Sequence, residues 1–156
     1  MHLQFQNLAQ RQEYIPLVIR WWHSVWSERM GSDFRSLEIH LHRLLKRKDF
    51  PVHMLALQDE QPVAIAVMKL HELEKLFPKR RYWLGSVFVE PSCRGRKLGS
   101  SITQYIVELA QSRGLPHLHL QTQNLSGGLY TSLGWKPLER LTVYGEETLL
   151  MVKQLG

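Results

Sequence analysis

The sequence predicts an α/β domain of the α+β kind, with about seven strands and about four helices, and three observations carry that prediction. Short β-branched and aromatic runs come in pairs around turn residues, at 51–57 with 62–70 and at 139–144 with 148–153, the pattern of antiparallel hairpins. Three longer stretches, 15–26, 34–45 and 98–109, repeat apolar residues with the spacing of one helical face. The chain has 156 residues, 44% of them hydrophobic and 22% charged, which is enough for one substantial core and too apolar for a disordered chain. A single domain over 1–156 is expected.

In order along the chain, residues 3–8 alternate apolar and polar and form a first strand. Ile15, Val18, Ile19, Trp22, Val25 and Trp26 mark the inner face of a helix that begins about Pro16, where a missing N–H costs nothing. Trp21, Trp22 and Trp26 fall on this helix and read first as core, second as one wall of a binding pocket. Gly31 and Ser32 interrupt the pattern. Phe34, Leu37, Leu41, Leu44 and Leu45 then give a second helix that runs into the basic Lys46, Arg47 and Lys48.

Pro51 opens a strand to Leu57, the Asp59-Glu60-Gln61 segment turns it, and 62–70 returns as its hairpin partner. Residues 71–81 are a polar connector to a central strand that begins near Tyr82. Val87, Phe88 and Val89 belong to that strand, and Pro91, which cannot donate to a ladder, stops it. Leu98, Ile102, Tyr105, Ile106 and Leu109 give the next helix its apolar stripe. Gly114 and Pro116 punctuate, and 117–121 alternates as a strand. Residues 125–135 read as a short helix closed by Gly134, a residue free to take the left-handed conformation of a C-cap. A hairpin of 139–144 and 148–153, turned at Gly145-Glu146, ends the chain.

A formal charge of +6 says that the surface attracts anions. Its basic residues gather at Arg43 with Lys46 to Lys48, at Lys79 to Arg81, and at Arg94, Arg96 and Lys97. The first suits a helix end and the second a solvated loop. The third lies on a turn from strand to helix. Arg94, Gly95, Arg96, Lys97, Leu98, Gly99 and Ser100 there leave backbone N–H groups unpaired at the positive end of a helix dipole, with glycines that let an anion come close. This is a phosphate seat. Neither G-x-x-x-x-G-K-S/T nor G-x-G-x-x-G can be written here, which argues against nucleoside-triphosphate and dinucleotide sites of the usual kind.

The single cysteine, Cys93, forbids an internal disulfide and fits a reducing compartment. No apolar run is long enough to span a bilayer, and the opening M-H-L-Q-F-Q lacks the basic and apolar regions of a signal peptide. A cytoplasmic location without a membrane partner is expected.

The turn from Arg94 to Gly99 resembles the acetyl-CoA loop of the GNAT N-acetyltransferase superfamily, written Q/R-x-x-G-x-G/A, with Arg94 first, Gly99 last and Lys97 in place of the middle glycine. A second segment, L-Y-T-S-L-G-W at 129–135, is similar to the family's F/L-Y-x-x-L-G-F/W, and the order of elements is similar over essentially the whole chain. The resemblance implies a mixed, mostly antiparallel central sheet and acetyl-CoA as co-substrate, without a metal. It lays the pantetheine along Val87, Phe88 and Val89 and the pyrophosphate on Arg94, Gly95, Arg96, Lys97, Leu98, Gly99 and Ser100. It makes Tyr130 the general acid that protonates the departing sulfur.

The acceptor it implies is a primary amine, on a small molecule, a peptide or a protein, acetylated by direct attack in a ternary complex; a homodimer is compatible with it. Many relatives carry a glutamate on the central strand where this chain has Trp83, so His71, Glu72, His119 or a water chain are the candidates for the base. Histidine is attractive because its unperturbed pKa lies near neutrality. Cys93 is a bystander in direct transfer. Two rival readings use the same turn differently. One is a non-catalytic module that binds or senses acyl-CoA. The other is a nucleic-acid-binding domain, disfavoured because no recognition-helix or aromatic-sheet signature is present.

Overall fold

The computed structural model describes residues 2–156. A seven-stranded sheet in the order β1-β2-β3-β4-β5-β7-β6 carries the molecule. Its strands are β1 (Leu3–Asn7), β2 (Val52–Gln58), β3 (Gln61–Lys69), β4 (Trp83–Val89), β5 (His117–Thr122), β6 (Lys136–Val143) and β7 (Glu146–Gln154). Every neighbouring pair is antiparallel except β4 and β5, so the sheet is mixed and mostly antiparallel, as expected. The helices are α1 (Ile15–Met30), α2 (Phe34–Leu45), α3 (Leu98–Ser112) and the short α4 (Leu129–Ser132).

Strand alternation sends side chains to opposite faces, and each face has its own core. On one, Ile102, Ile106, Val107 and Ala110 of α3 pack on Ala64, Ala66, Met68, Leu84, Leu118 and Leu120, the alanines of β3 letting the helix lie close. On the other, Ile15, Val18, Ile19 and Trp21 of α1 and Leu41 and Leu45 of α2 cover Leu55, Leu57, Ile65 and Phe88.

The feature that makes a site is the parting of β4 and β5. They share a single register pair, Trp83 with His119, whereas β3 stays paired with β4 from Trp83 to Val89. The edge of β4 that faces β5 is therefore released from the ladder after its first residue. β4 also bulges: Val67 pairs with Gly85 and Ile65 with Phe88, so two steps on β3 oppose three on β4, and Ser86 within the extra step has φ 52°.

Four local differences from the sequence reading have physical reasons. β1 stops at Asn7 because its side chain caps Ala9 N and starts a 3-10 turn, Leu8–Gln10, that buries Leu8. The inner face of α1 is Ile15, Val18, Ile19 and Trp21, while Val25 is 54% exposed; the helix leaves helical dihedrals at Trp26 (φ −118°, ψ 33°), turning this end away from the core. The expected helix at 125–135 contracts to α4, since Gly127 and Gly128 both take positive φ before it. The last hairpin turns at Tyr144 and Gly145, whose φ values of 51° and 79° suit a two-residue turn between twisted strands.

Candidate active site

Between the released edge of β4, the start of α3 and α4 lies an open cleft of about 440 Å³. Val87, Phe88 and Val89 form its floor, Arg94, Gly95, Lys97, Leu98, Gly99 and Ser100 one end, Leu129 and Tyr130 a side, and Val25 and Trp26 of α1 the opposite wall. Nine of the ten residues expected at a cofactor site thus line one cavity. The tenth, Arg96, is not among the lining residues and reaches Gln58 Oε1 at 3.4 Å.

The turn is built as the sequence suggests. Glu90 caps it by accepting from Ser92 N at 2.8 Å, and the first i to i−4 bond of α3 is Ser101 N to Lys97 O, so the amides of Leu98, Gly99 and Ser100 precede the helical ladder. A Cβ on Gly99 would stand 3.4 Å from Leu129 Cδ2 and 3.8 Å from Val89 Cγ2, so the glycine sits where strand, helix and α4 converge. Lys97 is the N-cap of α3 and is left-handed, at φ 61° and ψ 24°. The arginine Arg94 folds back, with Nε donating to Val89 O at 3.2 Å and its guanidinium 5.4 Å from the Phe88 ring.

The Tyr130 hydroxyl has no hydrogen-bond partner among the described residues. Burial pushes its pKa up to about 12, so it stays protonated at neutral pH. Its ring meets the edge of Trp135 at 6.1 Å. Cys93 lies on the 3-10 turn Pro91–Cys93 and is a free thiol, with Ser92 Oγ at 3.8 Å.

Of the three base candidates His119 lies on β5 and His71 and Glu72 on the connector between β3 and β4, and none of them is among the residues that line the cleft. His119 is buried against Trp83 and His117, at ring separations of 5.1 and 4.7 Å. Burial, helped by the nearby His117 and Arg80, lowers its pKa to about 4. His71 has Nε2 4.0 Å from Glu74 Oε1. Glu72 has Oε2 2.8 Å from Lys69 Nζ, and its Oε1 accepts from Gln121 Nε2 at 3.4 Å. Lys69 Nζ also donates to Ser86 Oγ at 3.0 Å.

Several groups here were not singled out in the sequence. Lys69, Gly85, Ser86 and Gln121 come from three strands and have no common motif. His53, buried on β2, has its pKa lowered to about 4, chiefly by burial and then by Lys69. The tryptophans divide their roles: Trp21 stacks on Phe88 in the core, Trp22 Nε1 donates to Ser86 O at 3.1 Å, and Trp26 walls the cleft.

Among solved structures, the fold is similar to that of aminoglycoside 6'-acetyltransferase type Ii, with a TM-score of 0.75 at 16% identity over 100% of this chain and 98% of that one. The ribosomal-protein-S18-alanine N-acetyltransferase from Escherichia coli gives 0.73 at 14% identity, over 99% and 95%. The PaiA N-acetyltransferase from Thermoplasma acidophilum, solved in complex with coenzyme A, gives 0.69 at 14% identity over 99% of each chain. No curated protein matches the chain by sequence. The family model described as "Acetyltransferase (GNAT) family" matches residues 12–135, which is most of the chain. With a parted pair of strands, a basic turn into α3 and a tyrosine-bearing α4 around one cleft, this chain belongs to the GNAT acetyltransferase family.

Proposed function

We propose that the protein is an acetyl-CoA-dependent N-acetyltransferase that moves an acetyl group to a primary amine by direct attack in a ternary complex. The observation that carries this reading is the released edge of β4 running into the amide-rich turn at the start of α3, within one open cleft. An extended chain with amide groups can add to such an edge as a further strand would. The pantetheine arm of acetyl-CoA is such a chain, and the floor of Val87, Phe88 and Val89 suits its apolar segments. Its pyrophosphate suits the unpaired amides and cations of the turn. Acetyl-CoA supplies the activated thioester.

Tyr130 is the general acid. Tyr130 lines the cleft, and its hydroxyl is protonated at neutral pH and so can donate to the sulfur as the carbon–sulfur bond breaks. A phenol with a pKa of about 12 is a weak donor to a thiolate in water, but the same burial withholds water from the sulfur and raises its proton affinity too. The acceptor enters from the side of α1, where Trp26 and Val25 wall the cleft. The neighbours named above act on an aminoglycoside and on an alanine of a ribosomal protein, so the acceptor class here is an amine of a small molecule, peptide or protein.

The test is a turnover screen with acetyl-CoA over small amines, aminoglycosides, peptide N-termini and lysine peptides, with coenzyme A binding measured beside it. Release of coenzyme A with one amine class supports the reading. Tight coenzyme A binding with no turnover of any amine would instead make the protein a binding or sensing module.

A further inference from the structure

The α1 and α2 face of the sheet is apolar under the helices at Leu55, Ile65 and Phe88 but polar where β4 and β5 part. Among the buried polar atoms of the described residues that lack a hydrogen-bond partner are Nδ1 of His53 on β2, of His71 on the connector after β3 and of His119 on β5, and Oε2 of Glu72 on the same connector. Buried polar atoms are rarely left so. Glu72 stands out among them. The ammonium of Lys69 approaches Oε2 at 2.8 Å but without hydrogen-bond geometry, so the contact is an ion pair that leaves a lone pair free.

The position of this carboxylate depends on an absent side chain. A Cβ on Gly85 would stand 2.7 Å from Glu72 Oε2 and 3.1 Å from Lys69 Nζ. The pair therefore lies directly on the β4 backbone, over the residue that precedes the bulge. Gly85 is two residues before Val87 on the cleft floor, with the bulge between them. Lys69 is held from two sides, by Glu72 and by Ser86 Oγ, and Gln121 of β5 holds the other carboxylate oxygen. Glu72 is held by contacts from β3 and β5, across the gap between the parted strands.

We propose that Glu72 takes the acceptor's proton and that Lys69 is the residue that positions it, in a gap over β4 that Gly85 keeps open. This rests on the acetyltransferase reading above. The acceptor's ammonium gives one proton to the Glu72 carboxylate and thence to solvent, leaving a neutral amine. The amine's lone pair forms the carbon–nitrogen bond at the thioester carbonyl, and the carbon–sulfur bond breaks. Tyr130 protonates the sulfur, and the second proton lost by the nitrogen restores the phenol. His119 is poorly matched to the task, since it is buried and gains a proton only near pH 4.

The experiment uses the whole chain, acetyl-CoA and the best amine from the screen. Glu72→Gln should lower kcat at least about tenfold, with coenzyme A affinity within twofold of the parent by calorimetry. Lys69→Met should lower kcat, Lys69→Arg should restore most of it, and Lys69→Met added to Glu72→Gln should cost nothing more, because Lys69 acts through Glu72. Gly85→Ala, which places a methyl against the carboxylate, should act like Lys69→Met while the melting temperature shows a folded protein. Parent-like turnover by Glu72→Gln, effects of the two changes that multiply, or a loss of coenzyme A affinity in step with kcat would each overturn the proposal alone. A parent that acetylates no amine would overturn it together with the reading on which it rests.

Discussion

The indole N–H of Trp22 donates to the carbonyl oxygen of Ser86 across 3.1 Å, tying α1 to the bulge in β4. Trp22→Phe keeps most of the apolar contact and leaves that carbonyl unpaired in a half-buried place, which should cost about 1–2 kcal/mol of stability in a denaturant titration. Because the bulge shapes the floor where β4 and β5 part, the KM for the amine should rise as well. A variant of parental stability would mean that the carbonyl finds water instead.

Gly99→Val places a branched side chain where Leu129 Cδ2 is 3.4 Å and Val89 Cγ2 3.8 Å from a bare Cβ. The added methyls must point either into these neighbours or into the cleft. Acetyl-CoA binding should weaken by at least about 1.4 kcal/mol, a tenfold effect, in calorimetry. Binding equal to the parent's in a folded variant would remove the turn from the phosphate site.

Tyr130→Phe removes the proposed acid and keeps the ring against Trp135. With chemistry limiting, kcat should fall on the order of a hundredfold while acetyl-CoA affinity hardly moves. Unchanged kcat under those conditions would leave Tyr130 a packing residue.

His53 is 4% exposed, and burial followed by Lys69 lowers its pKa from 6.5 to about 4. The unfolded chain therefore takes up a proton at a higher pH than the folded one. The associated stability is complete above about pH 6.5 and is lost as pH falls toward 4, by something on the order of 2–3 kcal/mol. His53→Leu should flatten the unfolding free energy over this window relative to the parent. An unchanged slope would show that other groups govern acid unfolding.

Much of this was legible in the chain because it is encoded locally. The hairpins, the helical stripes and the turn from Arg94 to Ser100 depend on residues near one another in sequence, and the structure keeps them nearly in register with expectation. What was not legible is contributed by distance. Nothing local to Gly85 says that Glu72 and Lys69 will lie across it, or that Gln121 will come from β5 to meet them. The same limit explains Val25: a periodic stripe identifies a helix face, but the kink at Trp26 decides which part of that face meets the core and which the cleft.

Lys97 occupies the place where relatives of this loop have glycine, and its φ of 61° shows why glycine suits it. A side chain in the left-handed region costs about 1–2 kcal/mol relative to the right-handed one, whereas glycine pays little there. A cation at the N-terminus of α3 adds about 0.3–1 kcal/mol by opposing the helix dipole. In the empty protein Lys97 is therefore unfavourable twice over. With the cofactor's phosphates on this turn, as proposed, its charge would become attractive, screened over a Debye length of about 8 Å at physiological salt. Lys97→Gln, which removes the charge but keeps the strain, should leave stability equal or slightly higher and raise the KM for acetyl-CoA severalfold. Lys97→Gly removes both; set against glycine's extra freedom in the unfolded chain, it should gain roughly 0.5–1 kcal/mol. Both variants should show a flatter salt dependence of KM and an unchanged kcat, since the charge acts on binding rather than on the thioester. Melting curves with steady-state kinetics at two ionic strengths separate the two contributions. A fall in kcat at saturating acetyl-CoA, with KM unmoved, would place Lys97 in the chemistry and overturn its assignment to the phosphates.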